Sequence, residues 1–214
     1  GGGIQRLVPA PAAIAAVGFA ISADGAVIAG TEFVDGYARA FRWSAGGGLQ
    51  DLSILTGADS AEAHAISADG SVIAGFSGDQ LNATFQHAAR WIGPPGSGGA
   101  VQDLGVLDDG DFSYAGAISA NGSVVVGFST LPGGDDHAFL WTASLGMVDL
   151  NTYLPIRGVD LTGWVLNAAR GISADGSTVV GGGRFNGADR ASLVTGGVAN
   201  EACNAFFCHG DRAE

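Results

Sequence analysis

The chain has 214 residues and a net charge of −12 at neutral pH, with 47% hydrophobic and 14% charged residues. This composition is typical of a packed globular protein, and the acidic balance argues against nucleic acid and anionic lipid as partners. Lysine and arginine together number 9, all of them arginine, and no apolar stretch reaches the roughly 18 residues of a membrane-spanning helix.

One short phrase occurs four times along the chain. Each copy contains an Asp-Gly or Asn-Gly pair, which is a strong hairpin signal because both residues tolerate positive φ. The turn residues of successive copies lie 45, 52 and 54 residues apart, and such periods indicate propeller blades or units of an array. The copies are SADGAVIAG at 22–30, SADGSVIAG at 67–75, SANGSVVVG at 119–127 and SADGSTVVG at 173–181.

Each unit is predicted to contain four short strands. The first leads into the Asp-Gly hairpin, and the second is rich in β-branched residues. A variable loop precedes the third strand, such as RAFRW at 39–43, and a Gly-rich turn precedes the fourth, such as LQDL at 49–52. The fourth unit lacks its last strand, whereas the chain opens with the matching segment IQRL at 4–7. We therefore expect the N-terminal segment to complete the last unit.

The sequence predicts an all-β fold, a four-bladed β-propeller of four-stranded blades that is closed by the N-terminal strand. Closure would remove the exposed sheet edge between the first and last blades. A β-sandwich, an open stack of repeats and a piece of a longer array are the alternatives. The predicted propeller covers residues 1–197, with blade 1 at about 17–53, blade 2 at about 62–105, blade 3 at about 114–151, and blade 4 at about 168–195 plus 3–8.

The C-terminal tail, residues 198–214, contains both cysteines of the chain, Cys203 and Cys208. No cysteine and histidine spacing typical of a zinc site accompanies them. We expect a disulfide in an exported protein, with a pair of free cytosolic thiols as the alternative. The bridge would close a short loop, so it would pin the tail and stabilise the fold by only about 2 kcal/mol.

The units resemble HAF repeats, a bacterial repeat family named after the tripeptide His-Ala-Phe. The segments GAISANGSVVVG, DHAFLW and GMVDL carry the resemblance, and the third unit matches best, at 137–139. The second unit has Ala89 in place of the Phe, and the first and fourth have Arg39 and Arg190 in place of the His. The family occurs in bacterial extracellular and autotransporter-type proteins. The resemblance therefore implies export to the cell surface or medium and a repeat-built β fold, and it brings no catalytic residues.

The loops between second and third strands, and those between blades, are predicted to share one face. Variable loops on a rigid scaffold are common binding surfaces. On this face each third strand begins with a basic or titratable residue. We expect these residues to pair with acids such as Asp135, Asp136 and Asp189. An anion or metal site at His87 and His137 is the alternative. The candidate ligand-binding residues are Arg39, His87, His137 and Arg190 at these starts, His64 and Arg170 on the first strands near the axis, and Tyr37, Tyr114 and Trp164 among the loop-face aromatics.

Catalytic and cofactor-binding motifs are not recognised in the sequence. Small residues on the first strands indicate a narrow channel, which favours surface recognition over an enclosed active site. The acidic cluster Asp108, Asp109 and Asp111 is interpreted as a solvated turn, with a paired-carboxylate hydrolase as the alternative.

The sequence thus predicts a secreted or cell-surface binding module, such as an adhesin, that uses no cofactor. Its expected partner is a carbohydrate or a host-surface protein, because aromatic side chains beside carboxylates and amides are typical of such sites. A polysaccharide-active enzyme that uses the same face and a purely structural display domain are the alternatives.

Overall fold

The computed structural model describes Leu7 and residues 12–94 and 96–195. This part of the chain is nearly all β, with fifteen strands and one short helix, which confirms the predicted fold class. The strands form four antiparallel sheets in chain order, which we call blades 1 to 4, and one parallel bridge, Gln86 to Phe112, joins blades 2 and 3. Blade 1 contains β1 (Ala13–Ile21), β2 (Val27–Val34), β3 (Tyr37–Ser44) and β4 (Gly48–Asp51); blade 2 contains β5 (Ser60–Ile66), β6 (Val72–Gly78), β7 (Gln86–Ile92) and β8 (Ala100–Gly105); blade 3 contains β9 (Phe112–Ile118), β10 (Val125–Thr130), β11 (Asp136–Thr142) and β12 (Gly146–Asp149); and blade 4 contains β13 (Trp164–Ile172), β14 (Thr178–Phe185) and β15 (Ala188–Thr195).

The repeated hairpin is held together by its serine and its aspartate. In blade 1, Ser22 Oγ donates to Asp24 Oδ1 at 2.6 Å and accepts from the amide of Val27 at 3.0 Å. Gly25 has a φ of 73°, in the left-handed region that glycine adopts without steric cost. The same serine bonds recur in the other three hairpins, with Asn121 replacing the aspartate in blade 3. The side chain at this position is therefore a turn former.

A line of backbone hydrogen bonds, which we call the alanine relay, joins the four hairpins. The amide of Ala23 donates to the carbonyl of Ala68 at 2.9 Å, Ala68 donates to Ala120 at 2.8 Å, and Ala120 donates to Ala174 at 2.9 Å. Because each bond links neighbouring blades, the same turn geometry is needed in every unit. The relay is the structural reason for the repeated phrase.

Three hydrophobic cores lie between successive blades. We call the side of a blade that faces its predecessor in the chain the front, and the opposite side the back. Between blades 1 and 2, Ala29 and Leu52 on the back of blade 1 pack in one core with Ile73 and Trp91 on the front of blade 2. Trp91 is fully buried, and its Nε1 donates to the carbonyl of Ser53 at 2.6 Å. The stability of the array therefore lies in the junctions between blades.

A short helix, α1 (Leu150–Ile156), follows β12 where the sequence predicts a loop between blades 3 and 4. Asp149 caps the helix, with its Oδ1 accepting from the amide of Asn151 at 2.8 Å. Leu150 and Leu154 share one helix face and are buried in the core between blades 3 and 4. Seven residues that include Pro155 are too few for helical periodicity to be visible in the sequence. No helix in the described ranges has the length and hydropathy needed to cross a membrane.

The described blades form an open arc. β1 packs against β5, but no comparable packing joins β1 to β13. The two ends of the alanine relay, the amide of Ala174 and the carbonyl of Ala23, do not bond to each other. The predicted closure into a ring is therefore not confirmed.

Two further predictions concern the ends of the chain. Within the described residues β15 pairs only with β14, so blade 4 has three strands. Of the segment expected to provide its fourth strand, only Leu7 is described. Cys203 and Cys208 lie outside the described residues, so the expected disulfide stays a prediction.

Candidate functional site

A column of aromatic rings lines the inner strands of the arc. The ring centroids of Phe19 and His64 are 4.9 Å apart, those of His64 and Tyr114 are 4.8 Å apart, and those of Tyr114 and Phe128 are 5.4 Å apart. Phe76 lies beside the column, 5.7 Å from Tyr114. These residues come from β1, β5, β6, β9 and β10, so the column spans blades 1 to 3. We call it the ring column. Its centroid spacings are those of favourable aromatic contacts.

Polar groups border the ring column. His64 Nε2 lies 3.2 Å from Glu62 Oε2, and the two side chains are 15% and 27% exposed. Burial raises the pKa of Tyr114, the negative charge of Glu62 raises it further, and the positive charge of Arg170 acts in the opposite direction. The Tyr114 hydroxyl is therefore a neutral hydrogen-bonding group at physiological pH, and it experiences the charges of both Glu62 and Arg170.

A cleft of about 690 Å³ opens where blades 3 and 4 meet. The cleft has space because Gly182, which has no side chain, occupies the position that Phe76 and Phe128 hold in blades 2 and 3. A Cβ atom added at Gly182 would meet no atom within 4 Å, which shows that the space is open. Asn167, Ala168, Gly181 and Gly183 also line this cleft, which we call the arginine cleft.

Three of the 9 arginines of the chain line the arginine cleft. They are Arg170, Arg184 and Arg190, and all three are exposed. Guanidinium groups donate in a planar fork that suits carboxylates and hydroxyl oxygens. The cleft therefore concentrates hydrogen-bond donors on an otherwise acidic protein.

Acidic side chains share the arginine cleft. Asp135, Asp136 and Asp189 line it beside the arginines. Arg184 Nε lies 3.6 Å from Asp189 Oδ1, but the side chains are 58% and 94% exposed, so solvent screens this pair. Asp136 Oδ1 accepts from Thr130 Oγ1 at 2.6 Å. The cleft thus offers both hydrogen-bond donors and hydrogen-bond acceptors.

A second, smaller cavity of about 330 Å³ lies between blades 1 and 2. Four phenylalanines line it beside polar residues that include Glu62 and Asp79; they are Phe33, Phe76, Phe85 and Phe112. Phe76 and Glu62 therefore connect this cavity to the ring column, so apolar surface and hydrogen-bonding groups run together along the loop-bearing side of three blades.

The residues that begin the third strands are not assembled into one site. His87 Nδ1 lies 2.8 Å from Asp103 Oδ2, and His137 Nδ1 lies 2.7 Å from Asp149 Oδ2, so each histidine pairs with an aspartate of the fourth strand of its own blade. Both histidines pair with an acid, as expected, but the partner of His137 is Asp149 and not the adjoining Asp135 or Asp136. Burial would raise the pKa of Asp103, yet hydrogen bonds from His87 and the Gly105 amide hold it below its usual value.

The two arginines at the equivalent positions differ from the histidines. Arg39 stacks on its neighbour Tyr37, with the guanidinium carbon 5.7 Å from the ring centroid. Arg190 lines the arginine cleft and donates to the carbonyl of Asp189 at 2.7 Å. Among the four residues that begin the third strands, Arg190 is the one that lines the arginine cleft. Arg170, a candidate from the first strands, also lines it.

Trp164, another candidate, has a packing role in the described structure. Its ring lies 5.1 Å from that of Phe185, and it packs against the core between blades 3 and 4. The site residues that the sequence interpretation missed are Glu62, Phe76, Phe128 and Arg184. The sequence did contain a signal for Arg184. Blade 4 reads GGGRF at 181–185, with glycine and arginine where blades 2 and 3 read GFSG at 75–78 and GFST at 127–130.

No protein-family model matches the sequence, and no curated protein matches it. Solved structures of similar fold include TolB from Acinetobacter baumannii, with a TM-score of 0.53 and 18% identity over 85% of this chain and 44% of that chain. A putative TolB from Agrobacterium tumefaciens has a TM-score of 0.52 and 15% identity over 83% of this chain and 65% of that one. The chain thus spans less than two thirds of either protein. At these identities the likeness concerns the fold alone, and on that ground the chain is similar in fold to TolB.

Proposed function

We propose that the four sheets are blades of a β-propeller in which residues 4–7 provide the missing fourth strand of blade 4. The match between IQRL and the fourth strands of the other units supports this assignment. The position of Leu7 supports it as well, because Leu7 lines a groove with Ile28 and Trp43 on the front of blade 1. Leu52 and Leu104, the equivalent residues of blades 1 and 2, lie in the same cores as Trp91 and Trp141 of the next blades.

The function that the site supports best is ligand binding, in a secreted or cell-surface module that recognises a carbohydrate or a host-surface protein. The observation that carries this proposal is that the ring column adjoins the arginine cleft: a Cβ atom added at Gly116 would lie 3.6 Å from Cε1 of Tyr114 in the column and 3.9 Å from Cα of Arg170, which lines the cleft. Aromatic rings stack on the apolar faces of sugars, and arginine, aspartate and asparagine side chains bond to the hydroxyl groups. Export to the cell surface, as in autotransporter-type proteins, is part of the proposal and rests on the repeat resemblance.

A glycan array with the purified chain tests this function. We expect binding to a subset of glycans, and a loss of at least tenfold in affinity for Tyr114→Ala and for Arg170→Ala. Arg157→Ala is the matched control, because Arg157 bonds to Tyr153 Oη at 2.8 Å and does not line the cleft. Binding that is unchanged in both site variants would contradict the proposed site.

The two alternative functions appear as separate outcomes of the same experiment. Cleavage of a bound glycan would identify a polysaccharide-active enzyme. Absence of binding to every glycan and to host-cell surfaces would favour a structural display domain.

A further inference from the structure

The smaller cavity, between blades 1 and 2, is lined by aromatic side chains that the hydrophobic cores do not use. We call it the phenylalanine cavity, after Phe33, Phe76, Phe85 and Phe112. Within residues 12–94 and 96–195, none of the four packs against any of the three cores. No ring contact joins two of them there either, so they do not fill the space by stacking on one another. Their rings therefore border open space.

The charged side chains among the described lining residues of the phenylalanine cavity are both acidic, Glu62 and Asp79. Asp79 Oδ1 accepts from the amide of Asn82 at 2.9 Å and Asp79 Oδ2 accepts from Thr84 Oγ1 at 2.8 Å. These hydrogen bonds hold the pKa of Asp79 below its usual value, so the carboxylate is ionised at neutral pH. His64, which approaches Glu62 at 3.2 Å, does not line the cavity. The cavity therefore carries negative charge.

The side-chain hydrogen-bond donors of the lining are already in use. Three polar side chains donate to backbone carbonyls, at 3.0, 3.2 and 3.4 Å; they are Ser60, Gln80 and Gln86. The arginine cleft differs, because its guanidinium groups are exposed donors. The phenylalanine cavity thus presents ring faces and carboxylates, and its electrostatic character is opposite to that of the arginine side chains.

The loop between β6 and β7, which forms one wall of the phenylalanine cavity, is fixed to its surroundings. The carboxylate of Asp59 accepts from the amides of Gln80 at 2.7 Å and Leu81 at 3.2 Å. Gln80 Oε1 also accepts from the amide of Ala38 on blade 1 at 3.3 Å. The wall is therefore formed before any ligand enters, which lowers the entropic cost of binding.

We propose that the phenylalanine cavity binds the quaternary ammonium head group of an organic cation. Aromatic ring faces attract such a cation, and the nearby carboxylates complement its charge. A quaternary ammonium group has no N–H to donate, so ring faces suit it better than hydrogen-bond acceptors do. A volume of about 330 Å³ suits a small head group. The described residues contain no group of three metal-ligating side chains that would favour a metal ion instead. This site is separate from the arginine cleft and does not depend on glycan binding.

Calorimetric titration with choline tests the proposal, beside its uncharged carbon analogue in which a tert-butyl group replaces the trimethylammonium group. We expect choline to bind about tenfold more tightly than the analogue. Phe85→Leu removes a ring face and Glu62→Gln removes a charge, and each should raise the dissociation constant of choline about fivefold or more. The matched controls are Phe185→Leu and Asp175→Asn, since neither residue lines the cavity. Circular dichroism checks that every variant folds.

A peptide that contains one trimethyllysine distinguishes the two sources of this head group. Tighter binding of the peptide than of choline would assign the head group to a protein side chain, and weaker binding would assign it to a free small molecule. Absence of choline binding to the parent would overturn the proposal, as would equal affinity for choline and its uncharged analogue. Choline binding that Phe85→Leu and Glu62→Gln leave unchanged, or that the controls weaken equally, would also overturn it.

Discussion

Ser67 donates its hydroxyl hydrogen to the carboxylate of Asp69 at 2.7 Å, and the equivalent pair occurs in each of the four hairpins. The same Ser67 Oγ accepts from the amide of Val72 at 2.9 Å, while the amide of Ala68 donates to blade 3 through the alanine relay. The buried serine thus links the turn to the second strand of its own blade. It also holds the segment that bonds to the next blade.

We expect Ser67→Ala to lower the free energy of unfolding by about 1–3 kcal/mol, because the buried amide of Val72 would lose its partner. Urea denaturation at neutral pH measures the effect. Ser71→Ala is the control, since Ser71 Oγ bonds only at the exposed side of Asp69 and blade 1 has Ala26 at this position. Equal losses in the two variants would show that the buried serine has no special role.

Stability should depend on the hairpin aspartates in acid. Hydrogen bonds from the Ser67 hydroxyl, and then from the amide and hydroxyl of Ser71, lower the pKa of Asp69 to about 2. The equivalent bonds from Ser173 and Ser177 lower the pKa of Asp175 to about 2. A carboxyl group whose folded pKa lies below the unfolded value of about 3.9 stabilises the fold above that value. This contribution is lost as the pH falls from about 4 to about 2.

The double variant Asp69→Asn and Asp175→Asn should therefore lose less stability than the parent between pH 4 and pH 2. Blade 3 shows that asparagine keeps the turn, since Asn121 Oδ1 accepts from Ser119 Oγ at 2.8 Å. Thermal unfolding at several pH values measures the slope, with Asp135→Asn, a change in an exposed loop, as the control. An acid slope equal to that of the parent would contradict this assignment.

Arg42 joins blades 1 and 2 from a fully buried position. Its guanidinium donates to the carbonyls of Pro94, Ser97 and Ser71 at 3.0–3.1 Å, and burial lowers its pKa. We expect Arg42→Ala to lower the free energy of unfolding by about 3 kcal/mol, because it leaves a cavity and removes the three hydrogen bonds that the guanidinium donates across the junction.

Arg42→Leu separates packing from hydrogen bonding at this junction. Blade 3 has Leu140 at the equivalent position, so leucine fits the space and should recover part of the loss. Chemical denaturation of both variants measures the difference. A leucine variant as unstable as the alanine variant would show that the three carbonyl bonds, and not packing, make the junction.

The repeat made the blades predictable, because hairpin and β-branched signals are local and occur in each unit. The partners of His87 and His137 were harder to predict, since each aspartate lies on the neighbouring strand and not in the adjacent loop. The arginine cleft exists because a side chain is missing at Gly182, and an absent group leaves little trace in a sequence pattern. Helix α1 is stabilised by the tertiary burial of Leu154, which no local propensity reveals.

The last prediction concerns the N-terminal segment. Leu7 lines the groove that contains Trp43, and Ile4 is expected to be the second inward residue of the predicted strand. Burial of such a side chain is worth about 1.5–3 kcal/mol, so deletion of residues 1–7 should lower the melting temperature sharply. It should also shift tryptophan fluorescence to the red, because Trp43 becomes more exposed. With β15 left unpaired, aggregation should increase as well.

Deletion of the residues after Gly197 is the comparison, and we expect it to cost far less stability. Leu7→Ala isolates the contact beside Trp43 from the loss of the strand, with Leu81→Ala as a control at a leucine that is 69% exposed. Thermal unfolding, fluorescence and light scattering are measured on all four variants. If the N-terminal deletion melts like the parent, or if the C-terminal deletion is the more damaging, then residues 4–7 are not the missing strand of blade 4. The blades would then be an open stack of repeats.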